Sequence, residues 1–270
     1  MQRWSLGIAY NGDGWHGWQK QPNVATIQAQ VESALYDFLG LEIQTVCAGR
    51  TDTGVHALEQ VVHLDTALER REMAWIRGLN SHLPNSIRVQ WARQVDAQFH
   101  ARFSAQRRHY LYLVRNAPHP TPFTEARVAW VFQPLQLQPM QEAAKLLVGT
   151  HDFSSFRSAD CQAHSPIREL QQLNIWQQGE YFIFYFCANA FLHHMVRNLM
   201  GVLIHIGKGK QPARWARDVL EYRDRRRSAP TFSPTGLYLA RVDYPAHFKI
   251  PQHELSALVH RHLNLTCVKV

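Results

Sequence analysis

The run Cys47-Ala48-Gly49-Arg50-Thr51-Asp52-Thr53-Gly54-Val55-His56-Ala57 gathers in one stretch the residue types of a nucleophilic or acid–base site. Gly49 and Gly54 permit a tight loop that exposes its backbone, and Asp52 stands between them with Arg50 two residues earlier. A carboxylate held this way can attack an electrophilic carbon or assist a leaving group. An Asp in a Gly-flanked loop is also an ordinary turn former. Apolar strands bound this loop on both sides, and a distant basic segment could supply a partner for Asp52. That segment is Asn189-Ala190-Phe191-Leu192-His193-His194-Met195-Val196-Arg197-Asn198. Read as a helix over 189–206, it places His193 and Arg197 together at i, i+4 and buries Leu192, Val196, Leu199, Leu203 and Ile206. Arg197 then lies near a buried face and needs an anion. Adjacent histidines on a helix point about 100° apart and do not chelate together, and no H-E-x-x-H spacing occurs, so no metal is expected. A third stretch, Arg107 to Arg115, sets Tyr110 and Tyr112 on one strand face with Arg108. Such a face stacks on nucleic-acid bases or serves as ordinary core. Phe99-His100-Ala101-Arg102-Phe103 interleaves basic and aromatic residues again. Arg223-Asp224-Arg225-Arg226-Arg227 is a charge run fit for solvent or phosphate.

The elements around these segments follow from hydrophobic period. Trp4, Leu6, Ile8 and Tyr10 alternate in a strand over 3–10, broken by Asn11-Gly12-Asp13-Gly14. Thr26 caps a helix with apolar Ile27, Val31, Leu35, Phe38 and Leu39, and Gly40 ends it. Strands are expected over 43–48, 58–64 and from Ile87 to Trp91, with a helix over 71–83 closed by Pro84. The order is β-α-β-β-α-β. The second part repeats it with insertions. Strands are expected over 107–115 and 128–132, a helix over 140–148 ended by Gly149, and a hairpin of 168–176 with 181–187. Helices over 189–206 and 213–222 and a strand over 237–242 follow. This predicts an α+β protein of two ferredoxin-like halves, 1–104 and 105–270, with an extended, mainly antiparallel sheet and a central cleft.

Length and charge agree. A chain of 270 residues, 46% apolar and 19% charged, is globular and large enough to stand without disulfides or metal. No apolar run reaches the ~18 residues of a membrane span. The first residues lack the apolar core of a signal peptide. Cys47, Cys161, Cys187 and Cys267 show no C-x-x-C pair, which suits a reducing cytoplasm. The formal net charge is +8, and it is carried by the part after residue 104, with Arg far in excess of Lys. That bias suits phosphate contact.

At these residues the chain resembles the tRNA pseudouridine synthase A family. The likeness runs in order through Tyr10-Asn11-Gly12, Trp15-His16-Gly17-Trp18-Gln19, Gly49 to Ala57, Phe99 to Tyr112, Phe156 to Arg168, Asn189 to Asn198 and Gly236-Leu237. The resemblance implies Asp52 as nucleophile, Arg197 as its ion-pair partner, Tyr110 against the target base and Arg50 in base flipping. It implies tRNA contacts at Phe99, His100, Ala101, Arg102, Phe103, Asp160, Cys161, Gln162, Ala163 and His164, and a pocket lining at Leu237. Thr53 and His109 stand where the family more often has Ala and Arg. The resemblance further implies a homodimer acting on uridines 38 to 40 of the tRNA anticodon arm, without metal or cofactor. The absence of G-x-G-x-x-G and P-loop motifs fits a redox-neutral isomerisation. It leaves Trp15, Trp18 and the Arg223–Arg227 run without a role. Two rival readings are an RNA-binding module that does not need Asp52 and a metal-dependent hydrolase using some of the 16 histidines. Salt-sensitive binding without turnover marks the first; loss of activity with a chelator marks the second.

Overall fold

In a computed structural model the chain is described over residues 1–263. Cys267 and the end of the second expected half lie outside the described residues. Two compact units emerge: residues 1–106 together with 238–263, and residues 107–237.

The first unit opens with β1 (Gln2–Tyr10), α1 (Ile27–Leu39), β2 (Val46–Cys47), β3 (His56–Thr66), α2 (Glu72–His82) and β4 (Ile87–Val95). All pairings are antiparallel, in the order β4-β1-β3-β2, which is the expected ferredoxin-like order. Thr26 caps α1 by accepting from the Ala29 N–H, and Gly40 ends it in the left-handed region at φ 68°. Trp4, Leu6, Ile8 and Tyr10 are buried as expected. Trp4 meets Trp75 of α2, ring centroids 5.3 Å apart. The opposite face of the sheet is buried as well, because Glu59 and His63 on β3 are covered. The expected strand over 43–48 shrinks to two residues, Val46 pairing with His63 and Cys47 with Val62.

The second unit holds β5 (Arg107–Asn116), β6 (Ala129–Val131), α3 (Leu137–Leu147), β7 (Gly149–Asp152), β8 (Ile167–Gln178), β9 (Tyr181–Ala188), α4 (Met195–Gly207) and α5 (Trp215–Tyr222). Its antiparallel sheet runs β5-β9-β8-β7, with β6 parallel on β5. Gly149, expected only to end a helix, opens β7 at φ 123°. A larger difference concerns the helix expected over 189–206. It begins at Met195, with His194 in the left-handed region as its cap. The residues before it bond elsewhere: Ser158 N–H donates to His193 O, and His193 N–H to Cys161 Sγ. Those bonds hold 189–194 outside the helix, with a turn at His193 and His194. His193 and Arg197 are therefore not one helical turn apart, and the two histidine rings lie with centroids 4.0 Å apart and planes tilted by 36°.

The chain then returns. β10 (Leu237–Asp243) pairs in parallel with β3, Tyr238 opposite His56 and Leu239 opposite Ala57. A last helix, α6 (Leu255–Leu263), follows. Tyr244 donates to Ala101 O, and His253 Nδ1 lies 2.6 Å from the buried carboxylate of Glu59. These bonds put residues 238–263 in the first unit, whereas the sequence leads one to expect the whole of 105–270 in the second half.

Candidate active site

In the first unit the loop of Asp52 is pinned by backbone bonds on each side. Val55 N–H donates to Asp52 O at 3.1 Å and closes the turn, with Gly54 at φ 76°. The segment 12–18 lies directly on it. Trp18 N–H donates to Thr51 O at 3.0 Å, Gly54 N–H to Trp15 O at 3.4 Å, and Gly12 N–H to His56 Nδ1 at 3.0 Å. The hydroxyls of Tyr10 and Thr51 share a bond of 2.8 Å. From β3, Gln60 donates to Gly49 O at 2.6 Å. The approach at residue 17 is so close that a Cβ there would stand 2.7 Å from Thr51 O, and the backbone has φ 77°. Only glycine fits that position. The result is a half-buried Asp52 on a fixed backbone, with Arg50 exposed beside it. Nearby, burial holds the Cys47 thiol up at about 11 against the opposing pull of Arg50, so it stays protonated at neutral pH and is no rival nucleophile.

In the second unit Tyr110 lies on β5 in an edge-to-face contact with Phe191, centroids 5.0 Å apart. Two residues on, the Tyr112 hydroxyl donates to Ser233 O, and burial drives its pKa upward against the opposing charge of Arg197. Arg197 sits in the first turn of α4. Its Nε donates to Phe232 O at 2.9 Å, and Phe232 N–H donates back to Arg197 O at 3.1 Å. A guanidinium at the positive end of a helix makes a local field that favours an anion.

The tRNA pseudouridine synthase family model matches residues 8–104 and 143–245. The chain belongs to the tRNA pseudouridine synthase family. The protein named tRNA pseudouridine synthase A of Bordetella petrii is 55% identical over 252 residues, 93% of this chain and 94% of that one. The protein of the same name from Paraburkholderia phymatum is 52% identical over 251 residues, 93% and 94% of the two chains. The matched stretches of this synthase-family chain include the Asp52 loop and the Arg197 turn, whereas Tyr110 falls between them.

The remaining expected residues divide by exposure. Phe99 and Ala101 are fully buried: Phe99 packs on Tyr244 and Phe248, and Ala101 N–H donates to His63 Nδ1 at 3.1 Å. They are core residues with no surface to offer an RNA. His100 is half-buried, and Arg102 and Phe103 are exposed. The His100 and Phe103 rings lie 4.3 Å apart by centroid, with the Arg102 guanidinium 5.5 Å over Phe103. Asp160, Gln162 and His164 are exposed and Ala163 half-buried. Cys161 is buried and accepts from His193 N–H through sulfur and from Arg157 through its carbonyl. Leu237 is buried. Sequence reasoning left Trp15 and Trp18 without a role; they carry the backbone that seats the Asp52 loop. Gln60 and Phe232 carry no signal in the sequence, and Phe191 is marked there only as part of the Asn189 to Asn198 segment. The glycine between the two tryptophans was the one signal in the sequence that could have marked this close approach.

Proposed function

We propose that this chain isomerises uridine to pseudouridine at positions 38, 39 and 40 of the tRNA anticodon arm, with Asp52 as nucleophile. The observation that supports it most is the Asp52 loop, which is held by the segment 12–18, by Tyr10 of β1 and by Gln60 of β3 while the carboxylate is carried between two glycines. Fixing a reacting group in this way removes entropy and reorganisation costs from the chemical step.

The reaction breaks the N1–C1′ glycosidic bond, turns the uracil, and forms a C5–C1′ bond. C5 loses a proton and N1 gains one, so no electrons are exchanged and neither metal nor redox cofactor is required. The base leaves its stack first, at a cost of a few kcal/mol. Exposed Arg50 holds the vacated place. Tyr110 stacks on the uracil and offers its hydroxyl near C5. Arg197 serves as counter-ion to Asp52 and keeps it ionised. Contacts to the anticodon arm come from His100, Arg102, Phe103, Asp160, Gln162, Ala163 and His164, and Leu237 lines the pocket. The working form is a homodimer in the cytoplasm, a reading that rests on the family resemblance and on the scattered cysteines. Among the described residues no helix is long and apolar enough to cross a membrane.

The test is tritium release from C5-labelled uridine in an unmodified tRNA transcript, with EDTA present. Wild type releases tritium and Asp52→Asn does not, while both bind tRNA alike. Appreciable release by Asp52→Asn overturns the nucleophile; no release by wild type that still binds tRNA overturns the target.

A further inference from the structure

The run Arg223 to Arg227 is not one surface. Arg226 is exposed and pairs with Asp224 at 2.9 Å, and Arg227 lies over the Tyr222 ring. Arg225 turns inward. Its Nη2 donates to Asn198 Oδ1 at 3.0 Å and to Thr231 Oγ1 at 2.9 Å, and its Nη1 to Ala229 O at 2.7 Å. Asn198 is fully buried in α4, immediately after Arg197. Its amide donates to Phe156 O at 2.7 Å, and its Oδ1 also accepts from the Thr231 hydroxyl at 2.7 Å. The strap 229–233 is thus sewn to α4, and the strap's Phe232 carbonyl is what Arg197 Nε donates to. The fit is tight: a Cβ on Gly201, one turn along α4, would stand 2.3 Å from Pro230 O.

We propose that Arg225 is a positioning residue for Arg197, acting through Asn198 and the strap 229–233. It rests on the reading that Arg197 serves the reaction as the counter-ion of the catalytic carboxylate. The guanidinium of Arg225 is a planar fork that spans Asn198 and Thr231 on one nitrogen and Ala229 on the other. A lysine ammonium cannot reproduce that span. With the fork gone, Ala229 and Thr231 lose their tie to Arg225, and the strap is joined to α4 by the Thr231 hydroxyl bond to Asn198 and the Phe232 N–H bond to Arg197 O. The Phe232 carbonyl then holds Arg197 Nε less firmly in one orientation, and a small misplacement of a catalytic group costs orders of magnitude in rate.

The experiment measures kcat, KM and tRNA affinity by filter binding for Arg225→Gln, Arg225→Lys, Thr231→Val, Arg197→Ala and the double variant Arg225→Gln/Arg197→Ala. Expected is a fall in kcat of about 10- to 100-fold for Arg225→Gln with KM and tRNA affinity within about twofold, partial recovery in Arg225→Lys, and a smaller fall for Thr231→Val. The double variant is no slower than Arg197→Ala alone, because both lesions remove one interaction. Additive losses, or unchanged kcat in Arg225→Gln beside a defective Arg197→Ala, overturn the positioning role and leave Arg197 standing. Weakened tRNA binding with kcat intact overturns it in favour of a phosphate contact. Unchanged kcat in Arg197→Ala overturns the reading of Arg197 itself. Should Arg225→Gln fail to fold, Thr231→Val carries the test: lower kcat at wild-type affinity supports the role, and unchanged kcat overturns it.

Discussion

Asp52 is an acid whose usefulness depends on its neighbours' backbones more than on its own side chain. Tyr10 illustrates this, since its hydroxyl meets Thr51 one residue before the carboxylate. Removing that hydroxyl in Tyr10→Phe leaves a buried Thr51 oxygen without this bond, at about 1 kcal/mol of stability. The expected outcome is a lower urea midpoint and severalfold slower turnover at unchanged tRNA affinity. Turnover equal to wild type would show that the Thr51 contact does not govern the carboxylate. Phe191 stands in the same relation to Tyr110. Phe191→Leu keeps apolar volume but loses the edge-to-face contact, so its expected effect is a higher KM for tRNA with an intact fold by circular dichroism.

At the level of elements, the loop between β1 and α1 decides the geometry. Its end is tied to the helix: Ile27 N–H donates to Gly17 O and Gln28 N–H to Trp18 O, while Thr26 caps the helix. A Cβ at residue 17 collides with the Thr51 carbonyl and demands a left-handed backbone from an L side chain. Gly17→Ala is therefore expected to cost more than the ~1 kcal/mol of a strained turn alone. Chemical denaturation measures it, and tritium release should fall further than stability does. The glycine in W-H-G-W was visible in the sequence, but what it approaches was not, because Gly17 and Thr51 are far apart along the chain. The helix at 189–206 shows the complementary case. Its apolar period was right from Met195 onward and misleading before it, where the Ser158–His193 and His193–Cys161 bonds outcompete helical ones. No local pattern announces such partners.

The molecule as a whole couples stability to pH through His63. Burial lowers its pKa to about 4, with the charges of Arg3 and His100 adding to the effect and Asp65 opposing it. Its Nδ1 accepts the Ala101 N–H and so must stay neutral. The unfolded chain takes up this proton near the usual 6.5. Below that pH the unfolded state binds more protons than the folded one, so this contribution is complete above about pH 6.5 and is lost as pH falls towards 4. Urea midpoints at pH 7 and pH 5 should differ more for wild type than for His63→Gln; equal differences would remove His63 from the account. The net charge of +8 makes a second expectation, that tRNA affinity falls steeply and log-linearly with salt. A flat salt response would exclude phosphate contact as the main source of affinity. Light scattering at micromolar concentration checks the proposed homodimer, and a monomer there would contradict it.

The alternation of Trp4 to Tyr10, the Thr26 and Gly40 ends of α1, the hairpin at Gly179 and the turn between Gly49 and Gly54 are local, so they were legible in the sequence. The α+β class and the β-α-β-β-α-β order of the first unit follow from the same short-range periods. Tertiary structure decided what depends on partners distant in sequence. It buried Phe99 and Ala101, for which the family resemblance implies tRNA contact, because Tyr244 and Phe248 return to cover them. It moved residues 238–263 into the first unit, starting with the parallel ladder of β10 on β3. It also separated Arg225 from the exposed arginines beside it, because a buried Asn198 supplies acceptors that composition cannot show. Periodicity is a property of neighbours in sequence, whereas burial and hydrogen-bond satisfaction belong to neighbours in space.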